Sequence, residues 1–183
     1  MKVNHPSTVS FGSIMLKSIT LEHVSERYLS WLNDPQVTQG IITKVNQYNL
    51  SNLREYVEKV ILDDSTYMFA IHDVTTDLHI GNIKLYEIHR ENKTCGLGLL
   101  IGDKTFWGRG VGTDACNALA DFAFETLKMR KIWLTAFCTN PAAVALYHKV
   151  GFEIEGTLKQ HVIVSGVCHD EYFMALFPQN RKK

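Results

Sequence analysis

The chain has 183 residues, 45% hydrophobic and 21% charged, with 19 Lys and Arg balancing 19 Asp and Glu. That length and composition suit one globular domain, 1–183, and neutral charge argues against a dedicated nucleic-acid binder. No apolar stretch approaches a membrane span, and the first residues lack the apolar core of a secretory signal. Cys95, Cys116, Cys138 and Cys168 form no CxxC pair, so reduced thiols in a cytoplasmic protein are expected. Eight histidines include no HExxH, and the close pair His161 and His169 stands in strand-like sequence, so no metal site is expected.

After a start expected to be mobile, "SIMLKSITL" reads as a strand over about residues 13 to 19. Thr20 then caps an expected helix, with His23 in its third position and Leu21, Val24, Tyr28, Leu29 and Leu32 at helical spacing until Asp34-Pro35 stops it. "PQVTQGIITKVNQYN" reads as irregular. A second helix spans about Ser51 to Leu62. "STYMFAIHD", "IGNIKLYEIH" and "CGLGLLIG", separated by polar turns, predict an antiparallel meander. Gly96 and Gly98 inside the third strand signal either a bulge or a close backbone approach.

From Thr113 to Met129 the period becomes helical, with Ala115, Ala118, Leu119, Phe122, Ala123 and Leu127 as its buried stripe. "KIWLTAF" is a central strand. In "NPAAVALYHKVGF", Asn140 as cap, Pro141 in the first turn and Gly151 past the end mark a compact helix. Two last strands join near Ser165-Gly166. The order predicts a mixed α/β (α+β) sheet protein.

Gly108, Gly110 and Gly112 precede the third of these helices. A helix start offers unpaired N–H groups and the positive end of its dipole, and glycines let more N–H groups converge there. Phosphate is the natural guest; tight packing is the alternative. Walker A fails, because no Gly-Lys-Ser/Thr follows. Gly110 to Ala115 matches GxGxxA, but "DKTFW" separates it from the preceding strand and "KIWLTAF" ends without an acid, so the dinucleotide fingerprint fails on context.

Three blocks resemble the GNAT N-acetyltransferase superfamily: "SITLEHVSERYLSWLNDPQV", "WGRGVGTDACNALADFAF" and "KIWLTAFCTNPAAVALYHKVGFEIEG". The match covers about residues 13 to 177 and is similar to the branch of ribosomal-protein N-terminal acetyltransferases and of nucleotide-amino-sugar acetyltransferases. The resemblance implies a mostly antiparallel sheet flanked by helices, whose central strands "CGLGLLI" and "KIWLTAF" run parallel and splay apart. It implies acetyl-CoA as co-substrate. Arg109, Gly110, Val111, Gly112 and Thr113 would hold the pyrophosphate, and the backbone of Leu99 and Ile101 the pantetheine arm. Trp107 stands where the superfamily commonly has Gln or Arg, which weakens a side-chain contact more than a backbone one.

The resemblance places Tyr147 as general acid to the departing thiolate, against a packing role beside Val144. Asn140 caps its helix and, by the same resemblance, reaches the cofactor arm. Glu87, ending "IKLYE" beside Tyr86 and His89, is the candidate proton acceptor, with Glu153, Glu155 and His161 behind it. Cys116 and Cys138 lack an activating His and read as core. Trp31, Tyr48, Tyr56, Tyr86, Tyr147 and Tyr172 are expected near the acceptor. The favoured acceptor is a nucleotide-linked amino sugar; the alternatives are a protein or peptide N-terminus, or a drug, polyamine or other small amine. The last strands of such folds can also pair across a homodimer.

Overall fold

A two-residue turn at Gly12 and Ser13 folds β1 (Thr8–Phe11) back onto β2 (Ile14–Ser18). Gly12 takes a φ of +55°, as such a hairpin turn demands. The computed structural model describes residues 8–40, 48–164 and 166–182. The start of the chain, part of the irregular segment after Pro35 and Ser165 of the final turn lie outside the described residues.

The helix expected from Thr20 is two pieces. Thr20 caps only a single turn, Leu21–His23, donating its N–H to His23 Nδ1 at 3.1 Å. Ser25 then accepts from the Tyr28 N–H and opens α1 (Glu26–Leu32), because a serine hydroxyl offers the backbone a competing hydrogen bond. Asp34 ends α1 and caps the short α2 (Pro35–Thr38). Asn49 and Asn52 exchange side-chain and backbone hydrogen bonds at the start of α3 (Leu50–Leu62).

The meander follows as β3 (Tyr67–Asp73), β4 (His79–His89) and β5 (Thr94–Ile101). α4 begins at Val111, two residues before the expected start, and runs to Asp121. Its continuation, Phe122–Thr126, widens to a π turn in which Leu127 bonds back to Phe122. β6 (Lys131–Phe137), α5 (Pro141–Val150), β7 (Glu153–Val164) and β8 (Val167–Leu176) complete the chain.

The strands form one sheet in the order β1-β2-β3-β4-β5-β6-β8-β7, and only β5 and β6 pair in parallel. Along β3, Tyr67, Phe69 and Ile71 pack into a core with α4 and α5, while Met68 and Ala70 join a second core with α1 and α3. Alternation along one strand thus buries both faces under helices. No helix among the described residues is long and apolar enough to cross a membrane.

Beneath α1, His79 lies stacked on His72, with ring centroids 5.4 Å apart, and edge-on to His23 and Trp31. Its Nε2 faces the carbonyl oxygens of Gly81 and the Asn82 side chain, so that nitrogen carries the proton and donates. Burial pushes its pKa down from 6.5 to about 4, electrostatic interaction with the neighbouring His23 and His72 adding to the effect and the Asn82 contact opposing it. The folded chain therefore refuses a proton that the unfolded chain accepts. This contribution to stability is complete above about pH 6.5 and is lost as pH falls toward about 4. Its size is at most about 3 kcal/mol. Urea unfolding of the wild type should weaken over that window, and His79→Gln should flatten the slope; an unchanged slope would assign it to other groups.

Candidate active site

At the head of α4, Gly108 and Gly110 hold φ of +72° and +82°, and a Cβ on either would meet nothing within 4 Å. Backbone conformation, not crowding by the protein, requires these glycines. Among the described residues, the N–H groups of Val111, Gly112 and Thr113 have no acceptor, while Asp114 donates to the Gly110 carbonyl. Three free donors therefore converge at the positive end of an 11-residue helix. The one carboxylate in that first turn, Asp114, accepts from Ser13 N and Oγ at 3.0 and 2.8 Å, which ties it to the β1–β2 turn. Arg109 is exposed and lies over the Phe106 ring at 4.8 Å.

Gly112 has a packing role: a Cβ there would come within 2.6 Å of Leu146 on α5. The side chain of Val111 is likewise core. Their expected part in phosphate binding is thus confined to the backbone. Trp107 donates its indole N–H to the Ile101 carbonyl at 2.9 Å, closing the loop between β5 and α4.

β5 and β6 pair only from Thr94↔Lys131 to Gly96↔Trp133, and beyond that the strands part. Gly102 donates its N–H to Ile80, so alternation turns Leu100 and Gly98 toward β4 and Leu97, Leu99 and Ile101 toward the gap. Leu99 presents both backbone groups there. Ile101, expected to do the same, has its carbonyl engaged by Trp107.

A cavity of about 360 Å³ occupies this gap. Tyr147 reaches it from the α5 side; Thr135, on the face of β6 away from Leu134 and Ala136, comes with Tyr28, Tyr48 and Tyr56 from the opposite side. The break in the sheet is what lets one cavity touch both layers. Tyr147 is 9% exposed, its ring 5.7 Å from that of Phe152, and its hydroxyl bonds to no described residue. Burial pushes its phenol well above the usual value, helped by Cys116 and Tyr86, so it stays protonated and able to donate. Asn140 caps α5 by accepting from Ala143 N–H at 3.1 Å. Its amide nitrogen abuts Gly40, where a Cβ would stand 2.5 Å away, and it is not among the residues lining the cavity.

Glu87 does not reach the cavity. The register of β4 slips between Tyr86 and His89, Glu87 takes a φ of +49°, and this bulge turns it to solvent. The carboxylate that does line the cavity is Glu171 on β8, 2% exposed, its Oε2 without a hydrogen bond and 3.9 Å from His161 Nε2. Its sequence signal was an acid in "CHDEYFMALF", the strand that pairs with "KIWLTAF". Glu153 and Glu155 are exposed, and Glu155 pairs with Lys131.

Burial pushes the Cys116 thiol up to about 12, away from nucleophilic chemistry. Trp31 belongs to the core, its indole seated against Gly102, and Tyr172 does not line the cavity.

Residues 13–153 match a family model described as an acetyltransferase (GNAT) domain. The chain is 27% identical over 150 residues to the spermidine N(1)-acetyltransferase of Vibrio cholerae, covering 82% of this chain and 86% of that one. It is 33% identical over 86 residues to the L-amino acid N-acetyltransferase AaaT of Escherichia coli K12, covering 47% of this chain and 52% of that one. The solved structure of the Vibrio cholerae spermidine N-acetyltransferase with CoA and spermine matches in fold with a TM-score of 0.84, at 23% identity, over 92% of this chain and 97% of that one.

Proposed function

The chain belongs to the acetyltransferase (GNAT) family, and on that premise we propose that it acetylates a primary amine of a small molecule held in the cavity between β5 and β6. Acetyl-CoA is the co-substrate and supplies the acetyl thioester. The observation that carries the reading is the coincidence, at one gap in the sheet, of free N–H groups at the α4 head, the open edge at Leu99, the Tyr147 hydroxyl and the Glu171 carboxylate.

In this reading the N–H groups of Val111, Gly112 and Thr113 bind the pyrophosphate, with Gly108 and Gly110 shaping the loop beneath it. Leu99 pairs with the amide-bearing arm. Glu171, desolvated among aromatic rings, receives the acceptor's ammonium and takes its proton, so that the neutral nitrogen attacks the carbonyl carbon. As the C–S bond breaks, Tyr147 donates its proton to sulfur, and the second proton shed by the acylated nitrogen returns through solvent to the tyrosine oxygen. Glu171 thereby replaces Glu87 as proton acceptor.

The relatives named for spermidine and for L-amino acids both act on small amines. They weigh against the nucleotide-linked amino sugar expected from the sequence. The test is thiol release from acetyl-CoA against amino acids, polyamines, amino sugars, nucleotide amino sugars and N-terminal peptides. Amine-dependent release is expected on small amines. Glu171→Gln should lower kcat/KM by about 100-fold with acetyl-CoA affinity retained. Absence of amine-dependent release would overturn the reading.

A further inference from the structure

The acceptor face of the cavity carries a cation, Lys84, that has no ion-pair partner among the described residues. Along β4, Asn82, Lys84 and Tyr86 alternate with the core residues Ile83 and Leu85, and all three of the former line the cavity. Lys84 stands opposite Gly98 and Tyr86 opposite Gly96. A Cβ at Gly98 would come 3.3 Å from Lys84 Cε, and one at Gly96 would come 2.6 Å from the Tyr86 ring. Two glycines inside one strand weaken it. Here they clear a floor on which the lysine stem and the tyrosine ring lie.

Lys84 Nζ donates to Tyr56 Oη at 3.3 Å and sits 5.8 and 5.3 Å from the ring centroids of Tyr56 and Tyr86. No Asp or Glu among the described residues lies within 4.0 Å of it, and residues 1–7, 41–47, 165 and 183 include neither. One pleat away, Asn82 is 3% exposed. His79 donates to its Oδ1 at 3.1 Å, which turns Nδ2 away with no hydrogen-bond partner. The ammonium, with one N–H spent on Tyr56, and the idle Asn82 amide thus lie on the same face of one strand. Removing an ammonium partly from water without a counter-ion is costly, and so is burying an idle amide. A ligand anion would answer both.

We propose that Lys84 binds an anionic group carried by the acceptor, so that the substrate is an amine bearing a carboxylate or phosphate a few bonds from its nitrogen. This rests on the acceptor reading of the cavity given above. Glu171 meets the ammonium end and Lys84 the anionic end. A two-residue step along a strand spans only about 6.6 Å, the distance from the Lys84 position to that of Tyr86. Tyr86 and Glu171 line the same cavity, and the Tyr86 phenol is pushed up to about 12 by burial first, then by the Glu87 and Glu171 charges. The two charges of the acceptor are therefore close together. A polyamine would set a second ammonium against Lys84.

The experiment compares kcat/KM for matched acceptors: an L-amino acid against its amide, an amino-sugar phosphate against the free amino sugar, and spermidine. The wild type should favour the anionic member of at least one pair by tenfold or more, through KM, as expected of about 1.4 kcal/mol or more of binding. The pair that shows the effect separates carboxylate from phosphate. Lys84→Met should erase that preference by raising KM for the anionic member, and Lys84→Glu should move the preference toward spermidine. Calorimetry with acetyl-CoA should find both variants folded and unchanged in cofactor affinity. A wild type that prefers spermidine or the neutral members, or a Lys84→Met variant that keeps the anionic preference, overturns the inference and leaves the transferase reading standing. No turnover of any acceptor overturns both.

Discussion

Replacing Tyr147 with phenylalanine is expected to lower the single-turnover rate of acetyl transfer by about 100-fold while acetyl-CoA affinity stays within about twofold. The ring remains against Phe152 and inside the core of α4 and α5, so packing and folding are retained. What is removed is one O–H whose partner among the described residues is nothing, at the wall of the cavity. Such a donor gains most of its interaction as charge develops on sulfur, so its loss falls on the chemical step rather than on binding. Saturating single-turnover measurements isolate that step from product release. Burial holds the phenol well above its usual range, so the wild-type rate should not decline through tyrosine ionisation below about pH 9. The variant should therefore run parallel to the wild type from about pH 6 to 9, lower throughout. A Phe variant with the wild-type rate across that range would make Tyr147 a packing residue and leave the proton donation to another group or to water.

Gly110→Val should weaken acetyl-CoA binding by on the order of 100-fold. At φ +82° a β-branched residue costs backbone strain, and the loop's relief of that strain would pull the N–H groups of Val111 to Thr113 out of convergence. Its side chain would also occupy the open space over the helix head, since a Cβ at this position meets no protein atom within 4 Å. Gly112→Ala separates this effect from damage to packing. There the added methyl meets Leu146 at 2.6 Å, so a fall in thermal stability is expected with a smaller effect on binding by folded protein. Calorimetry on folded Gly110→Val decides the matter: undiminished affinity would remove the α4 head as the pyrophosphate site.

The elements bearing the proposed cofactor site were legible because neighbours in the chain determine them. Asn140, Pro141 and Gly151 cap, open and close α5 by local hydrogen bonding and φ preference, and the structure has each in that role. Glycines at 108 and 110 report a left-handed backbone wherever they occur. Alternating apolar residues announced the meander, and the parallel pair with its early splay followed from the resemblance.

The sequence by itself determined the sheet-and-helix order, the glycine loop, the α5 caps and the family. Only the tertiary structure decided which charges line the cavity and what holds the others, because those depend on strands and helices brought together from distant parts of the chain. A bulge of one strand turned Glu87 to solvent, and the pairing of β6 with β8 brought Glu171 to the cavity instead. Asp114 is held by Ser13, 101 residues away, and Lys84 by Tyr56, 28 residues away. Gly96 and Gly98 read equally as irregularity or close approach until Tyr86 and Lys84 lay across them. Local periodicity records which face of a strand is buried; it holds no record of what stands opposite. The burial and the partners of these groups arise only when the opposite element arrives.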